Sequence, residues 1–332
     1  MKIHVIPICE ITAEQKARLK KLGSVRFFKK APINDKSFLK KCAGAEVLLT
    51  TPRPPIDIVP HLKKCKFISI IATGFDGINV KLSREKGILV SNVPAYATQS
   101  VVEHIFAMIL NLCRKIKEAE KIVRSGKWDM ELMVSATELY GKTLGIFGFG
   151  KIGKRLSEIA KVFGMRVIVH TRSRDAGTPD IDFVDFKKLL NDSDVIVLCA
   201  PLTSETFHKF GEKEFRMMKR KPIFINTSRG AVVDEKALIK ALKNKWISGA
   251  GIDVFEKEPI SARHPLCKFS NNAVRLGGTQ AKEISPPQAE TNVILTPHAA
   301  WGSAEATKRL MDIAIQNVED FLKGSPKNVV NN

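Results

Sequence analysis

The sequence is poor in cysteine, with six in 332 residues and no two at Cys-x-x-Cys spacing. None of them has a histidine at the spacing of zinc ligands. The cysteine pattern therefore argues against a zinc site and against a disulfide framework. We therefore predict no bound metal. We also predict buried, reduced thiols at Cys9, Cys42, Cys65, Cys113, Cys199 and Cys267.

Long apolar runs are missing as well. No stretch approaches the roughly 20 residues of a membrane-spanning helix, and the start, MKIHVIPICE, lacks the features of a secretory leader. These absences predict a cytoplasmic protein with no membrane partner. The net charge is +20, but the chain has no basic tail and no basic helix interleaved with aromatics. The charge therefore indicates a lysine-rich surface and argues against a nucleic-acid partner.

Short β-branched runs alternate with helix-like stretches along the whole chain. This rhythm is typical of βαβ units around a parallel sheet, and the chain length predicts two domains. The expected strands are 3–8, 46–50, 67–72, 88–93, 143–148, 166–171, 195–200, 222–228, 249–255 and 292–297. One long helix is expected from Thr98 or Ser100 to Gly126, and a last helix from about Ser303 to Lys323.

The segment GIFGFGKIG, at 145–153, has glycines at the spacing G-x-G-x-x-G between an expected strand and an expected helix. In this context Gly148 permits a tight turn, Gly150 lets the backbone approach a pyrophosphate, and Gly153 lets the helix pack on the strand. We predict that the turn binds a nicotinamide dinucleotide, with Lys151 and Ile152 among the contacts. A plain tight turn is the alternative.

The next strand ends in HTRSR, where an NAD-binding unit usually carries an acidic residue for the ribose hydroxyls. Thr171 takes that position, and Arg172, Ser173 and Arg174 follow. Two cations without a neighbouring carboxylate favour the 2′-phosphate of NADP(H), with NAD(H) as the alternative cofactor. A solvated turn without a cofactor role is the other alternative.

Three charged residues follow three of the expected strands: Arg229, Glu258 and His298. Ligands bind outside the carboxyl ends of parallel strands, so these side chains are expected to form one catalytic site. Reduction of a keto acid needs a hydride, a proton for the carbonyl oxygen and a cation for the carboxylate. His298 suits the proton donor, Glu258 its carboxylate partner and Arg229 the anion anchor. Taken singly, each could instead be structural or solvated.

Other loops at the strand ends complete the predicted site. Further cofactor contacts are expected at Ala200, Pro201, Thr227 and Asp253. Substrate contacts are expected at Arg229 and His298, and in the first domain at Arg53, Ala72, Thr73 and Gly74. The loop ATGFDG offers backbone N–H groups to an anion, and an ordinary glycine turn is its alternative. For Arg53, the alternative is a solvated side chain.

Taken in order, several segments resemble the D-isomer-specific 2-hydroxyacid dehydrogenases: ATGFDGIN, GILVSNVPAYATQSVVEH, TELYGKTLGIFGFGKIG, CAPLTSET, INTSRGAVVDEKAL, AGIDVFEKEP and TPHAAW. The resemblance implies an α/β fold with two Rossmann-like or flavodoxin-like domains, each a doubly wound parallel sheet. It implies a nucleotide-binding domain at 99–297 and a discontinuous substrate domain at 1–98 plus 298–332. It also implies a homodimer through the nucleotide-binding domain, and catalytic roles for Arg229, Glu258 and His298.

Within the family, TELYGKTLG and the chain end from TPHAAW look most like glycerate dehydrogenases (hydroxypyruvate reductases), with glyoxylate reductases close behind. Formate dehydrogenases of the superfamily carry Gln where Glu258 stands, so a keto acid is the expected substrate. A dehydrogenase for D-lactate or phosphoglycerate is an alternative, as is a nucleotide-sensing, corepressor-like module without turnover. Residues 267–291 depart from the family's short join and predict a surface loop that is a lid or disordered.

Overall fold

The computed structural model describes residues 1–28, 35–128, 130, 136–172, 181–270 and 292–331. The chain divides into two units, Met1–Ala97 with Gly302–Asn332, and Thr98–Trp301. The second boundary lies beyond the 297/298 junction expected from the sequence, so His298 belongs to the same unit as Arg229 and Glu258. Which ligand each unit binds stays a prediction.

The first unit contains a five-stranded parallel sheet in the order β2-β1-β3-β4-β5. This is the flavodoxin-like order. Its strands are β1 Lys2–Val5, β2 Ser24–Phe27, β3 Val47–Thr50, β4 Phe67–Ile70 and β5 Leu89–Ser91. Its helices are Ala13–Leu22, Asp35–Cys42, Val80–Glu85 and Ala304–Leu322, with a 3-10 turn at Val59–His61. Every residue of β3 and β4 is buried, as expected for a parallel sheet covered by helices on both faces.

The second unit contains a seven-stranded parallel sheet in the order β12-β11-β10-β9-β6-β7-β8. From the β8 edge this is the 3-2-1-4-5-6 order of dinucleotide-binding folds with one more strand. Its strands are β6 Thr143–Phe147, β7 Arg166–His170, β8 Asp182–Phe183, β9 Val195–Leu198, β10 Ile223–Asn226, β11 Gly249–Ile252 and β12 Asn292–Leu295. Its helices are Thr98–Arg114, Ile116–Arg124, Lys151–Val162, Phe186–Asp192, Glu212–Met217, Glu235–Lys243 and Pro265–Ser270, with a 3-10 turn at Gly230–Val232.

The fold class predicted from the sequence is confirmed, and each of the ten expected strands occurs within its expected range or overlaps it. Two edge strands, β2 and β8, are not among the strands expected from the sequence. The residues of β2 alternate between exposed and half-buried, and β8 has only two residues. Neither strand therefore contains a continuous apolar run. The last helix has its N-cap at Ser303 and its C-cap at Lys323, as predicted.

The single long helix expected up to Gly126 is wrong. The helix Thr98–Arg114 ends at Lys115, which has a left-handed φ of 52°, and a second helix, Ile116–Arg124, follows. The first helix buries a broad apolar face, whereas the second has no buried residue, so packing does not hold the two in line. Within the described part of the chain, no helix is both long enough and apolar enough to cross a membrane.

All six cysteines are free, and three of them, Cys42, Cys65 and Cys113, are buried. The other three are partly exposed, which corrects the prediction that all six are buried. Burial raises the pKa of the Cys42 and Cys65 thiols to about 12. These thiols therefore stay protonated near neutral pH, which makes them poor nucleophiles. No three His, Cys, Asp or Glu side chains of the described residues group as metal ligands.

Candidate active site

Neighbouring strands bring the three predicted catalytic residues to one edge of the second sheet. Strands β10, β11 and β12 are parallel and adjacent, and their register aligns Asn226 with Ile252 and Ile252 with Leu295. Arg229, Glu258 and His298 follow these strand ends within a few residues. The sheet therefore fixes where each of the three segments begins.

His298 and Glu258 form a direct pair. The imidazole Nδ1 lies 2.8 Å from Oε2 of Glu258, and the two side chains are 31% and 17% exposed. The other carboxylate oxygen, Oε1, accepts a hydrogen bond of 3.0 Å from the Phe255 N–H. An ionised carboxylate accepts hydrogen bonds and donates none, so Nδ1 carries the proton shared with Glu258. Nε2 is then the ring nitrogen that can present a proton to a ligand.

The turn that carries His298 is held by a buried carboxylate. His298 has a left-handed φ of 53°, and its N–H donates to the Asp253 carbonyl at 2.8 Å. The Asp253 carboxylate is fully buried and accepts from the Ala299 N–H at 2.7 Å and the Ala300 N–H at 3.0 Å. It also accepts from the Thr296 hydroxyl. Both its oxygens therefore have partners within the protein, and Asp253 supports the His298 turn. The cofactor contact predicted for Asp253 stays a prediction.

Arg229 leaves β10 through a turn shaped by Asn226. The Asn226 side chain is 1% exposed; its Oδ1 accepts from the Ser228 N–H at 3.0 Å, and its Nδ2 donates to the Arg229 carbonyl at 3.0 Å. The guanidinium Nη1 donates to the Ser228 carbonyl at 2.8 Å. Asn226 therefore fixes the backbone from which Arg229 extends. The sequence analysis did not single it out, although it lies within INTSRG.

Gly230 brings the Arg229 turn against the segment that carries Glu258. A Cβ at Gly230 would lie 1.9 Å from the Phe255 carbonyl carbon and 2.4 Å from the Glu256 nitrogen. Real side chains do not tolerate such distances, so this close approach of two backbones requires glycine. The contact couples the positions of Arg229 and Glu258.

Two of the three motif glycines are packed against the protein. Gly148 has φ +95°, and a Cβ there would lie 2.6 Å from the Ala200 nitrogen. A Cβ at Gly153 would lie 2.6 Å from the Gly148 carbonyl oxygen. The structure therefore shows the predicted turn role for Gly148 and the predicted packing role for Gly153.

Gly150 differs because a Cβ there would meet no atom within 4 Å. It is the N-cap residue of the helix Lys151–Val162, and no side chain caps that helix end. Open space in front of uncapped N–H groups suits an anion, so the residues present fit the pyrophosphate of a dinucleotide. Thr171 and Arg172 follow β7, the neighbour of β6 in the sheet. Ser173 and Arg174 lie outside the described residues.

A carboxylate that the sequence analysis did not expect lies near Arg172. The guanidinium Nη1 is 3.7 Å from Oε2 of Glu205, and the side chains are 83% and 69% exposed. Glu205 lies in the loop after β9, in a turn where the Thr206 hydroxyl accepts from the Thr203 N–H at 2.8 Å. The expectation that no carboxylate lies beside the arginine is therefore wrong. An exposed pair at this distance contributes little to stability, so a stronger anion can displace Glu205.

The remaining predicted residues lie where their strands end. In the second unit, Ala200 is buried, Thr227 and Ile152 are half-buried, and Pro201 and Lys151 are exposed. In the first unit, Ala72 is buried, Gly74 is half-buried, and Arg53 and Thr73 are exposed. The two loops of the first unit touch, because a Cβ at Gly77 would lie 2.4 Å from the Pro52 carbonyl oxygen. The Thr73 hydroxyl donates to the Val93 carbonyl at 2.7 Å. Residues 271–291 of the predicted surface loop lie outside the described residues.

Comparisons with known proteins agree on one family. The model of the D-isomer specific 2-hydroxyacid dehydrogenase NAD binding domain matches residues 106–275. A glyoxylate reductase of Korarchaeum cryptofilum is 37% identical over 310 residues, which cover 91% of this chain and 87% of that protein. A hydroxypyruvate reductase of Blautia hydrogenotrophica is 33% identical over 322 residues, which cover 94% of each chain.

A solved structure matches nearly the whole chain. The NADPH-dependent glyoxylate/hydroxypyruvate reductase of Sinorhizobium meliloti, in complex with NADP and malonate, is 25% identical with a TM-score of 0.78. The match covers 99% of this chain and 96% of that one.

Replacement of Gly230 tests the close approach of the Arg229 turn to the Phe255–Glu256 backbone. Gly230→Ala should lower stability by about 1 to 3 kcal/mol, because the added methyl group overlaps the Phe255–Glu256 backbone. Thermal melting of the purified protein measures this loss. Gly150→Ala is the matched control and should lose less, since its methyl group enters open space. Equal melting temperatures for the parent and Gly230→Ala would contradict the contact.

Proposed function

The chain belongs to the D-isomer-specific 2-hydroxyacid dehydrogenase family, and from this premise we propose that it reduces hydroxypyruvate or glyoxylate to the D-2-hydroxy acid. The family makes it an NAD(P)-dependent oxidoreductase of small 2-keto acids, which leaves the corepressor-like alternative without support. The observation that carries the proposal is the His298–Glu258 pair, 2.8 Å apart, beside the Arg229 turn. D-lactate and phosphoglycerate remain alternative substrates for the reverse reaction.

In this proposal His298 is the general acid. Its Nδ1 is engaged by Glu258, so Nε2 gives a proton to the carbonyl oxygen of the keto acid. The Glu258 carboxylate accepts the Nδ1 proton and thereby fixes the ring plane. A bound nicotinamide supplies the hydride that the carbonyl carbon receives. The imidazole is left neutral and takes a proton from solvent before the next turnover.

Arg229 is the proposed anion anchor. A guanidinium keeps its charge at any physiological pH, and its planar fork binds two oxygens at once. The carboxylate of a 2-keto acid and its neighbouring carbonyl oxygen offer such a pair. We also propose that the unit Thr98–Trp301 binds the nucleotide through Gly150 and the helix end at Lys151. The substrate contacts at Arg53, Ala72, Thr73 and Gly74 stay predictions.

Initial rates test the reaction and the roles together. We expect oxidation of NADPH with hydroxypyruvate or glyoxylate, read at the nicotinamide absorbance, with pyruvate as the comparison substrate. His298→Ala should lower kcat by about 10²- to 10⁴-fold while NADPH still binds. Arg229→Ala should lower kcat/KM for the keto acid by a similar factor.

Matched controls replace a surface histidine and a surface arginine. His61→Ala and Arg220→Ala remove exposed side chains of the same types and should retain the parent rates. Undiminished turnover in His298→Ala would overturn the assigned role. Absence of turnover with all three keto acids and both cofactors would overturn the proposed function.

We propose NADPH as the preferred cofactor, with Arg172 and Arg174 binding the 2′-phosphate. Arg172 is largely exposed, and its nearby carboxylate, on Glu205, is also exposed, so both can rearrange around a phosphate. A phosphate with a charge near −2 attracts a guanidinium more strongly than one carboxylate does. Glu205 therefore opposes the preference without abolishing it.

The ratio of kcat/KM for NADPH to that for NADH tests this account. The double change Arg172→Ala with Arg174→Ala should reduce the ratio to about one, and Glu205→Gln should raise it by about 3-fold, as expected for an exposed pair. Arg166→Ala is the charge-matched control at the other end of β7 and should leave the ratio unchanged. If this ratio keeps its parent value after both arginines are replaced, the phosphate contact is contradicted.

We further propose a homodimer formed through the unit Thr98–Trp301. A hollow of about 240 Å³ on this unit is lined by the apolar or aromatic residues Leu110, Leu139, Tyr140 and Phe163, together with Cys113, Arg114, Thr137 and Glu138. Tyr140 is 79% exposed, and Val162, next to Phe163 in the chain, is 88% exposed. Large exposed apolar side chains grouped around a hollow mark interaction sites, and the family resemblance makes a second copy of this chain the proposed partner.

Light scattering after size-exclusion chromatography tests the dimer. The parent should have twice the 36.9 kDa mass of the chain. The double change Tyr140→Glu with Val162→Glu should give a monomer, because charged groups in an apolar interface are costly to desolvate. Phe207→Glu alters an exposed aromatic in the loop after β9 and should remain a dimer. A monomeric parent would contradict the proposal.

A further inference from the structure

Two polar side chains stand on the apolar face of the helix Thr98–Arg114. Ser100 and His104 are one helical turn apart, among buried residues such as Val101 and Ile105. The Ser100 hydroxyl donates to the Ala300 carbonyl at 3.0 Å. The His104 Nε2 lies 3.1 Å from the Thr296 hydroxyl oxygen. Both contacts reach the segment 296–300, which carries His298 between them.

The direction of these hydrogen bonds follows from their partners. The Thr296 hydroxyl donates to Asp253 Oδ1, so its oxygen accepts the proton on His104 Nε2. That imidazole is 24% exposed, whereas Asp253 is fully buried. His104 Nε2 is also 3.8 Å from Asp253 Oδ1, close enough to offset part of the buried negative charge. Both interactions require a nitrogen-bound proton that points at Thr296 and Asp253.

We propose that His104 is a positioning residue for His298. Its Nε2–H fixes Thr296, Ser100 fixes Ala300, and the left-handed His298 is thereby held from both sides. This inference rests on the proposed role of His298 as the proton donor. His104 acts through Thr296 and the Asp253 carboxylate, and it contacts neither His298 nor Glu258 in the described hydrogen bonds.

The consequence for the reaction is geometric. A left-handed conformation is disfavoured for a residue with a side chain, so it persists where surrounding contacts impose it. Loss of the His104 hydrogen bond removes one of the contacts that hold Thr296 and weakens the restraint on the turn. His298 then points less well at the carbonyl oxygen, and misplacement of a catalytic group by about 1 Å can cost 100-fold in rate.

Two substitutions separate hydrogen bonding from packing. His104→Phe keeps a ring of similar size and removes the donor, whereas His104→Gln keeps an N–H donor at similar reach. We expect His104→Phe to lower kcat by about 10- to 100-fold while KM for the keto acid and Kd for NADPH change by less than about 3-fold. His104→Gln should recover most of the loss.

NMR of protein with nitrogen-labelled histidine side chains measures the His298 hydrogen bond without relying on turnover. In the parent, the Nδ1 proton of His298 should show the downfield shift of a hydrogen bond to a carboxylate. His104→Phe should move or broaden this signal, and His104→Gln should restore it. His298→Ala identifies the signal.

The outcomes distinguish this inference from the proposed function. If His298→Ala is inactive while His104→Phe has the parent kcat and the parent His298 signal, the positioning role is overturned and the proposed function stands. If His104→Gln is as slow as His104→Phe and both lower the melting temperature equally, the role is one of packing and the inference is overturned. If His298→Ala retains full turnover, the proposed function itself fails.

Discussion

A carboxylate taken out of water must be matched by hydrogen bonds, and at Asp253 almost all of them come from one short segment. Its side chain is fully buried, and donors from Thr296, Ala299 and Ala300 surround its two oxygens. If that segment moved, an ionised group would be left without partners in the interior, which is strongly unfavourable. The turn that carries His298 is thus tied to the end of β11. The pairing of His298 with Glu258 depends on this restraint.

The restraint also explains why the chain tolerates a long segment between Glu258 and His298. The distance between these residues is set by β11 and β12, which are hydrogen-bonded neighbours, and by the contacts of Asp253. The entropy of closing a loop grows slowly with its length, so additional residues in the chain between the two strands weaken such a pair little. On the other side, the close approach of Gly230 to Phe255 ties Arg229 to the same strand end.

Much of the fold and the site could be predicted from the sequence, because buried parallel strands and the glycine turn have strong local signals. A run such as VIVL is apolar throughout, and Gly148 and Gly153 have contacts that exclude side chains. The edge strand β2 lacks such a signal because it is partly solvated. The helix breaks at Lys115 because the helix before it buries an apolar face and the helix after it has no buried residue. The residue types around Lys115 do not reveal this difference.

Polar contacts between residues far apart in the sequence could not be predicted either, because they have no local signal. Glu205 meets Arg172 through the order of strands β7, β6 and β9, which no local pattern contains. His104 gave one usable signal, an imidazole among apolar residues at helical spacing, but its partner lies 192 positions away. For Asp253, position at a strand end predicts a cofactor contact, whereas its hydrogen bond from the Ala299 N–H, 46 positions away, has no local signal.

The unit boundaries have a consequence for how such a chain can diversify. Arg229, Glu258, His298 and the partners described for them all lie within Thr98–Trp301, which is continuous in sequence. The other unit is assembled from the two chain ends that flank it. Exchange of both flanks by recombination would therefore leave the His298–Glu258 pair and the Arg229 turn intact in a new setting. The site would thus be inherited as one continuous stretch of the gene, separately from the stretches that encode the other unit.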